Sequence, residues 1–198
     1  MKKKALSMLL VLAVCIGLCV TAAASETEEP SSWAAQQISD AIELGLVPET
    51  LQSKYSQVVT RSEFCALGVA FFETVTGEEL AERVKFDDTA DVNVEKMAAI
   101  GVVNGVGDNK FAPNNPLTRA QAATVLSRLA KAAGKPLPER EPTFADKDII
   151  SSWAVDAAGQ LQAAGIMGGV GNNLFSPAAD YTREQSIVTI MRLYDIVK

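Results

Sequence analysis

Three stretches of this chain share one order of polar and apolar positions. They are Val59-Thr60-Arg61-Ser62-Glu63, Leu117-Thr118-Arg119-Ala120-Gln121 and Tyr181-Thr182-Arg183-Glu184-Gln185. Apolar residues at helical spacing follow each: Phe64, Leu67 and Phe71; Ala122, Val125, Leu126 and Leu129; Ile187, Ile190, Met191 and Tyr194. The pattern predicts three amphipathic helices that start at the threonines. Thr60, Thr118 and Thr182 supply the N-cap oxygen, and Glu63, Gln121 and Gln185, three residues on, can reach back to the cap's own N–H.

A second, earlier helix precedes each of these. Trp33, Ala34, Ile38, Ala41 and Ile42 line the first, which ends at Gly45, with Ser31 or Ser32 as the expected cap. The middle one is short, from about Asn93 to Ile100, and stops at Gly101. Trp153, Ala154, Ala157, Ala158, Leu161 and Ala164 line the third, which Ser151 or Ser152 is expected to cap and Gly165 to end. Between the helices of a pair lie Gly107-Asp108-Asn109-Lys110-Phe111-Ala112-Pro113 and Gly171-Asn172-Asn173-Leu174-Phe175-Ser176-Pro177. Gly, Asn and Asp there predict a tight turn with positive φ. Gly101 to Thr118 and Gly165 to Thr182 are both 17 residues, but Gly45 to Thr60 is 15 and lacks Phe-x-Pro.

The chain therefore divides into repeats: 31–76, with a short loop; 86–134, with a short first helix and no tryptophan; and 144–198. Residues 77–85 and the proline-rich 135–143 connect them. One helix-loop-helix unit cannot bury both its faces, so a mainly α fold with a core shared by the three units is expected.

The arginines change the picture. Each sits at the first helical position, where the macrodipole disfavours a cation by roughly 0.3–1 kcal/mol. Three in equivalent places call for a reason, and an anion is one, since helix N-termini with free N–H groups already attract anions. The bland alternative is a surface or interhelical salt bridge. Composition limits what the anion can belong to. Lys2-Lys3-Lys4, the apolar run from Ala5 to Val20 and Ala22-Ala23-Ala24 read as a signal peptide over 1–24, followed by a leader over 25–30. The alternative, a lipoprotein signal at Cys15 or Cys19, has a bulky residue before each cysteine. Loss of three lysines would take the net charge from −6 to −9, which argues against nucleic acid or anionic lipid as partner. Cleavage would leave Cys65 alone, read as a small core residue.

There is no histidine, and no acid or thiol stands beside a recognisable base, so no enzyme activity, cofactor or metal is expected. Asp87, Asp88, Asp146 and Asp148 lack the spacing of a calcium loop and read as turn or capping residues. Gly105-x-Gly107 and Gly168-Gly169-x-Gly171 lack the Lys-Ser/Thr of a phosphate loop. They read as turns whose bare backbone can approach a ligand.

The ordered set Phe144, Asp146, Trp153, Ala154, Gly165, Ile166, Gly169, Phe175, Pro177, Thr182, Arg183 resembles the S-layer homology family. Repeat two carries Phe86, Asp88, Gly101, Gly105, Phe111, Pro113, Thr118, Arg119 and Ala120 of that pattern, and repeat one keeps Trp33, Ala34, Gly45, Thr60, Arg61 and Glu63. The resemblance implies a pseudo-threefold arrangement around a central helical bundle. It also implies grooves between repeats that bind an acidic secondary cell-wall polysaccharide, often bearing a pyruvate ketal. Its site residues would be Arg61, Arg119 and Arg183 for the carboxylate, with Trp33, Trp153, Gly105, Gly168 and Gly169 lining the sugar; the tryptophans could equally be core anchors. The expected protein is a noncatalytic wall-attachment module, secreted to the cell surface, with other surface-layer proteins as further partners. The alternative is a self-assembling or scaffolding surface protein that binds no glycan.

Overall fold

The computed structural model describes residues 28–198; the signal-peptide expectation lies outside them. Among the described residues six α-helices carry the fold: α1 (Ala35–Glu43), α2 (Arg61–Thr76), α3 (Val92–Ala99), α4 (Arg119–Ala132), α5 (Ser152–Ala163) and α6 (Arg183–Val197). Single 3₁₀ turns stand at Glu49–Leu51 and Lys147–Ile149. Among the described residues β-structure is confined to isolated bridges, so the fold is mainly helical.

The threonines start the second helices through complete capping boxes. Thr60, Thr118 and Thr182 each accept from the backbone N–H three residues on, and Glu63, Gln121 and Gln185 each accept from the cap's own N–H. The first helices start differently. α1 begins after Ala34 with no side-chain cap, and α5 follows Ser151 with none. The Ser31 hydroxyl instead donates to Glu184 at 3.1 Å, so its oxygen serves a contact between repeats. In α3 the cap is Asp91, which accepts from the Asn93 N–H.

The repeats close into a ring. α2 packs on α3, α4 on α5, and α6 returns to α1, while α6 also meets α2 and α4 at the centre. On the axis three backbone hydrogen bonds run head to tail. Val59 N–H donates to Tyr181 O at 2.8 Å, Tyr181 N–H to Leu117 O at 3.0 Å, and Leu117 N–H to Val59 O at 3.0 Å. This cycle is the pseudo-threefold relation in backbone form. Phe64, Leu67, Phe71, Leu117, Leu126, Tyr181 and Ile187 are buried in one continuous core. Cys65 lies in it, and burial pushes its thiol pKa well above the usual range, which leaves it inert. The 135–143 connector is fitted against α5 at Gly159, where a Cβ would stand 1.8 Å from Arg140 O.

Candidate functional site

The N–H groups at the second-helix starts are already taken. Arg61 and Ser62 N–H donate to Asn115 O and Pro113 O, Arg119 and Ala120 N–H to Ala179 O and Pro177 O, and Arg183 and Glu184 N–H to Gln57 O and Tyr55 O. With the third N–H held by the threonine, the free-N–H anion site expected at these termini is not formed. Each helix start is instead sewn to the loop of the next repeat in the ring.

The arginine side chains follow the same path, which explains a cation at a position the dipole disfavours. Arg61 Nε donates to Phe111 O at 2.9 Å and its Nη2 to Asn104 O at 3.0 Å. Arg119 Nε donates to Phe175 O at 2.7 Å and its Nη2 to Gly168 O at 2.9 Å. Both guanidinium groups also lie over the phenylalanine ring of that loop, at 4.3 Å for Arg61–Phe111 and 5.3 Å for Arg119–Phe175. Burial lowers the pKa of each from its ordinary value, but a guanidinium keeps its charge in a protein.

The loops they grip are preformed. Ala112 and Ser176 adopt φ of 57° and 56°, a region that disfavours a non-glycine residue. The aspartate of Phe-x-Asp holds them there. Asp88 accepts from Phe111 and Ala112 N–H, and Asp146 from Phe175 and Ser176 N–H, at 2.7–2.8 Å. The Phe111 N–H lowers the pKa of Asp88. Burial pushes that of Asp146 up, but the N–H groups of Phe175, Ser176 and Asp146 itself, with the Arg119 charge, together lower it. Repeat one has a counterpart: Ser53-Lys54-Tyr55, with Lys54 at φ 51° and Tyr55 O accepting from Glu184 N–H.

Two cavities open beside the arginines. One, of about 520 Å³, is lined by Arg119 of repeat two, by Gly168, Gly169, Gln185 and Arg192 of repeat three, and by Trp33 of repeat one. The other, of about 280 Å³, is lined by Arg61 of repeat one, by Gly105, Gln121 and Arg128 of repeat two, and by Trp153 of repeat three. Each draws on all three repeats in the same rotational order. Trp33 and Trp153 are 52% and 55% exposed, so of the two readings left open for them the core one does not hold. Gly105 and Gly169 are needed by the turns themselves: a Cβ would lie 2.7 Å from Lys110 O and 3.2 Å from Leu174 O. Gly168 has no such neighbour within 4 Å.

Arg183 stands apart. It lines neither of these two cavities; its Nη1 donates to Ser53 O at 2.5 Å and its Nη2 pairs with Glu63 at 2.6 Å. Its Nε is buried without a partner.

Arg128 and Arg192, each seven residues after the capping glutamine, escaped the sequence reading. Seven residues is two helical turns, so each projects from the glutamine's face. The readable signal was recurrence: Gln121–Arg128 and Gln185–Arg192, against Glu63–Ala70 in repeat one.

This architecture has relatives. The S-layer homology domain matches residues 86–123 and 143–185, within repeats two and three. Over those segments repeats two and three match the S-layer homology family. The chain is 28% identical over 210 residues to an endoglucanase of Bacillus sp. (strain KSM-635), covering 96% of this chain and 22% of that one. It is 30% identical over 130 residues to a cell surface protein of Thermoanaerobacter kivui, covering 65% and 16%, and 29% identical over 150 residues to an amylopullulanase of Thermoanaerobacterium thermosulfurigenes, covering 73% and 8%. The chain thus spans less than a quarter of the length of these relatives. S-layer homology domains are noncatalytic modules that anchor proteins to the cell wall, and the family places this chain at the cell surface. Among the described residues no helix is long and apolar enough to cross a membrane.

Proposed function

We propose that this chain holds to the bacterial wall by taking acidic sugar units of a secondary cell-wall polysaccharide, such as pyruvate-ketal hexoses, in the grooves at Arg119 and Arg61. The module acts as a noncatalytic binder. The observation that carries this reading is the repeated kit: guanidinium, exposed indole, glycine turn and glutamine, assembled twice from three repeats. A guanidinium already bound through Nε and Nη2 is fixed in place, so a ligand carboxylate meets a preorganised cation. An indole face suits the apolar side of a pyranose, and an indole more than half exposed has surface to offer. Arg183, Trp33, Trp153, Gly105, Gly168 and Gly169 keep unequal parts in this proposal. Arg183 locks the ring, the tryptophans face the ligand, Gly168 lines the rim and holds Arg119 through its carbonyl, and Gly105 and Gly169 shape the turns.

The test is cosedimentation of the chain with native wall sacculi and with sacculi stripped of secondary polymer, alongside Trp33→Ala plus Trp153→Ala. Binding to native sacculi only, lost in the double variant while the melting temperature holds, is the expected result. Equal sedimentation with both preparations would reject the glycan reading. Concentration-dependent assembly without wall material would then favour a self-associating surface protein.

A further inference from the structure

Beyond the Thr-Arg arginines, each open groove holds a second cation. Arg192 lines the groove of Arg119, and Arg128 lines the groove of Arg61. Neutral internal acceptors steer each of them. Arg192 Nε donates to Gln37 at 2.8 Å and its Nη1 to Ile166 O at 3.4 Å, and Arg128 Nη1 lies 3.2 Å from the Asn104 side-chain oxygen once that amide faces it. Among the described residues neither meets a carboxylate within salt-bridge distance, although the chain is acidic overall, with a net charge of −6. At the third junction the corresponding helical position is Ala70 of repeat one, and there Arg183 is already neutralised by Glu63. The second cation is present where the first lacks an internal counterion, and absent where it has one.

We infer that Arg128 and Arg192 are ligand-contacting, specificity-determining residues, and that the chain carries two competent sites, the third being closed by its own Glu63. This rests on the groove reading above and deepens it. The two sites are not equal. Glu184 also lines the Arg119 groove, with its carboxylate accepting from Ser31 N–H and Oγ at 3.1 Å, whereas no carboxylate lines the Arg61 groove. One groove therefore has a formal charge of +1 and the other +2. The Arg61 groove binds an anionic sugar with the steeper salt dependence, because more uncompensated charge is screened.

The probe is the methyl glycoside of a hexose bearing a 4,6-pyruvate ketal, with the same glycoside lacking the ketal as control, titrated calorimetrically into the purified protein. Two sites are expected. Arg128→Gln should weaken one by about tenfold and flatten the salt dependence, and Arg192→Gln should weaken the other by a similar factor. Gln37→Ala removes the side-chain tether of Arg192 but keeps its charge and its bond to Ile166 O, and should retain two sites. Wild-type affinity in both arginine variants, three equal sites, or Gln37→Ala matching Arg192→Gln would overturn the inference and leave wall binding standing. Failure of the wild type to bind both the pyruvylated glycoside and native sacculi would instead reject the groove reading itself.

Discussion

The Arg119 groove and the Arg183 junction occupy equivalent places in the ring and do opposite things with the same side chain. At Arg119 the guanidinium satisfies two loop carbonyls and stands beside an open cavity with an indole and a second arginine. At Arg183 one carbonyl and a carboxylate of the neighbouring helix consume it. The difference comes down to three positions: Gln185 against Glu63, Arg192 against Ala70, and Trp33 against the tryptophan that repeat two lacks. One changed cap residue turns a helix start from a neutral support into an internal anion. A repeat protein can in this way keep its symmetry of fold while losing its symmetry of function.

The largest expected effect follows from that exchange. Arg183→Ala should destabilise the fold by about 2–3 kcal/mol, because it strands the half-buried Glu63 carboxylate and frees the Ser53 carbonyl. The urea midpoint should fall with the slope unchanged. Affinity of the folded fraction for sacculi should stay at the wild-type level. Arg119→Ala should lose both stability and binding. Equal loss of wall affinity in the two variants would erase the distinction between groove and junction.

Helices were legible in the sequence because the signals were local. Threonine with a glutamine or glutamate three residues on, followed by an apolar stripe, fixes a helix start without reference to the rest of the chain. The sharing of one core was legible too, from the inability of one unit to bury both faces. The use of the arginine was not. At Arg61 and Arg119 its partners are backbone carbonyls some 50 residues away, and carbonyls leave no mark in a sequence. The same holds for Ser53-Lys54-Tyr55, which plays the part of Phe-x-Pro with none of its residues, since the conserved quantity is a backbone shape with positive φ. Trp153 shows the limit of a periodicity argument. It falls on the apolar pattern of α5 and adjoins the fully buried Ala154, but it lines the Arg61 cavity and is 55% exposed.

Acid offers a smaller perturbation that separates the loops. The carboxyl pKa values of Asp88 and Asp146 are lowered in the folded chain. Their contribution is therefore complete above the unfolded aspartate value near 3.9 and is lost as pH falls through the folded values. As pH falls through those folded values, the amides of Phe111, Ala112, Phe175 and Ser176 should lose protection several-fold relative to their intrinsic exchange rates at the same pH. The Ser53-Lys54-Tyr55 loop has no such aspartate clamp, so its exchange should shift less over the same range. A uniform change across all three loops would show that Asp88 and Asp146 do not hold the αL residues in place.

The smallest effect concerns the rim of the Arg119 groove. Asn104 occupies in repeat two the place that Gly168 holds in repeat three, and each gives its carbonyl to the arginine of the preceding repeat. A Cβ at Gly168 meets nothing within 4 Å and its φ is not positive, so the fold does not demand glycine there. Gly168→Asn should change stability by less than about 0.5 kcal/mol. An asparagine placed there has Arg192 in the register that Arg128 holds toward Asn104, so it can turn to that guanidinium and leave the cavity open. Binding in the Arg119 groove should then stay within about threefold of wild type, under 0.7 kcal/mol. A loss beyond tenfold, with the melting temperature intact, would mean that the sugar lies directly on the backbone at Gly168. The two open grooves would then seat their ligands differently despite sharing the same parts.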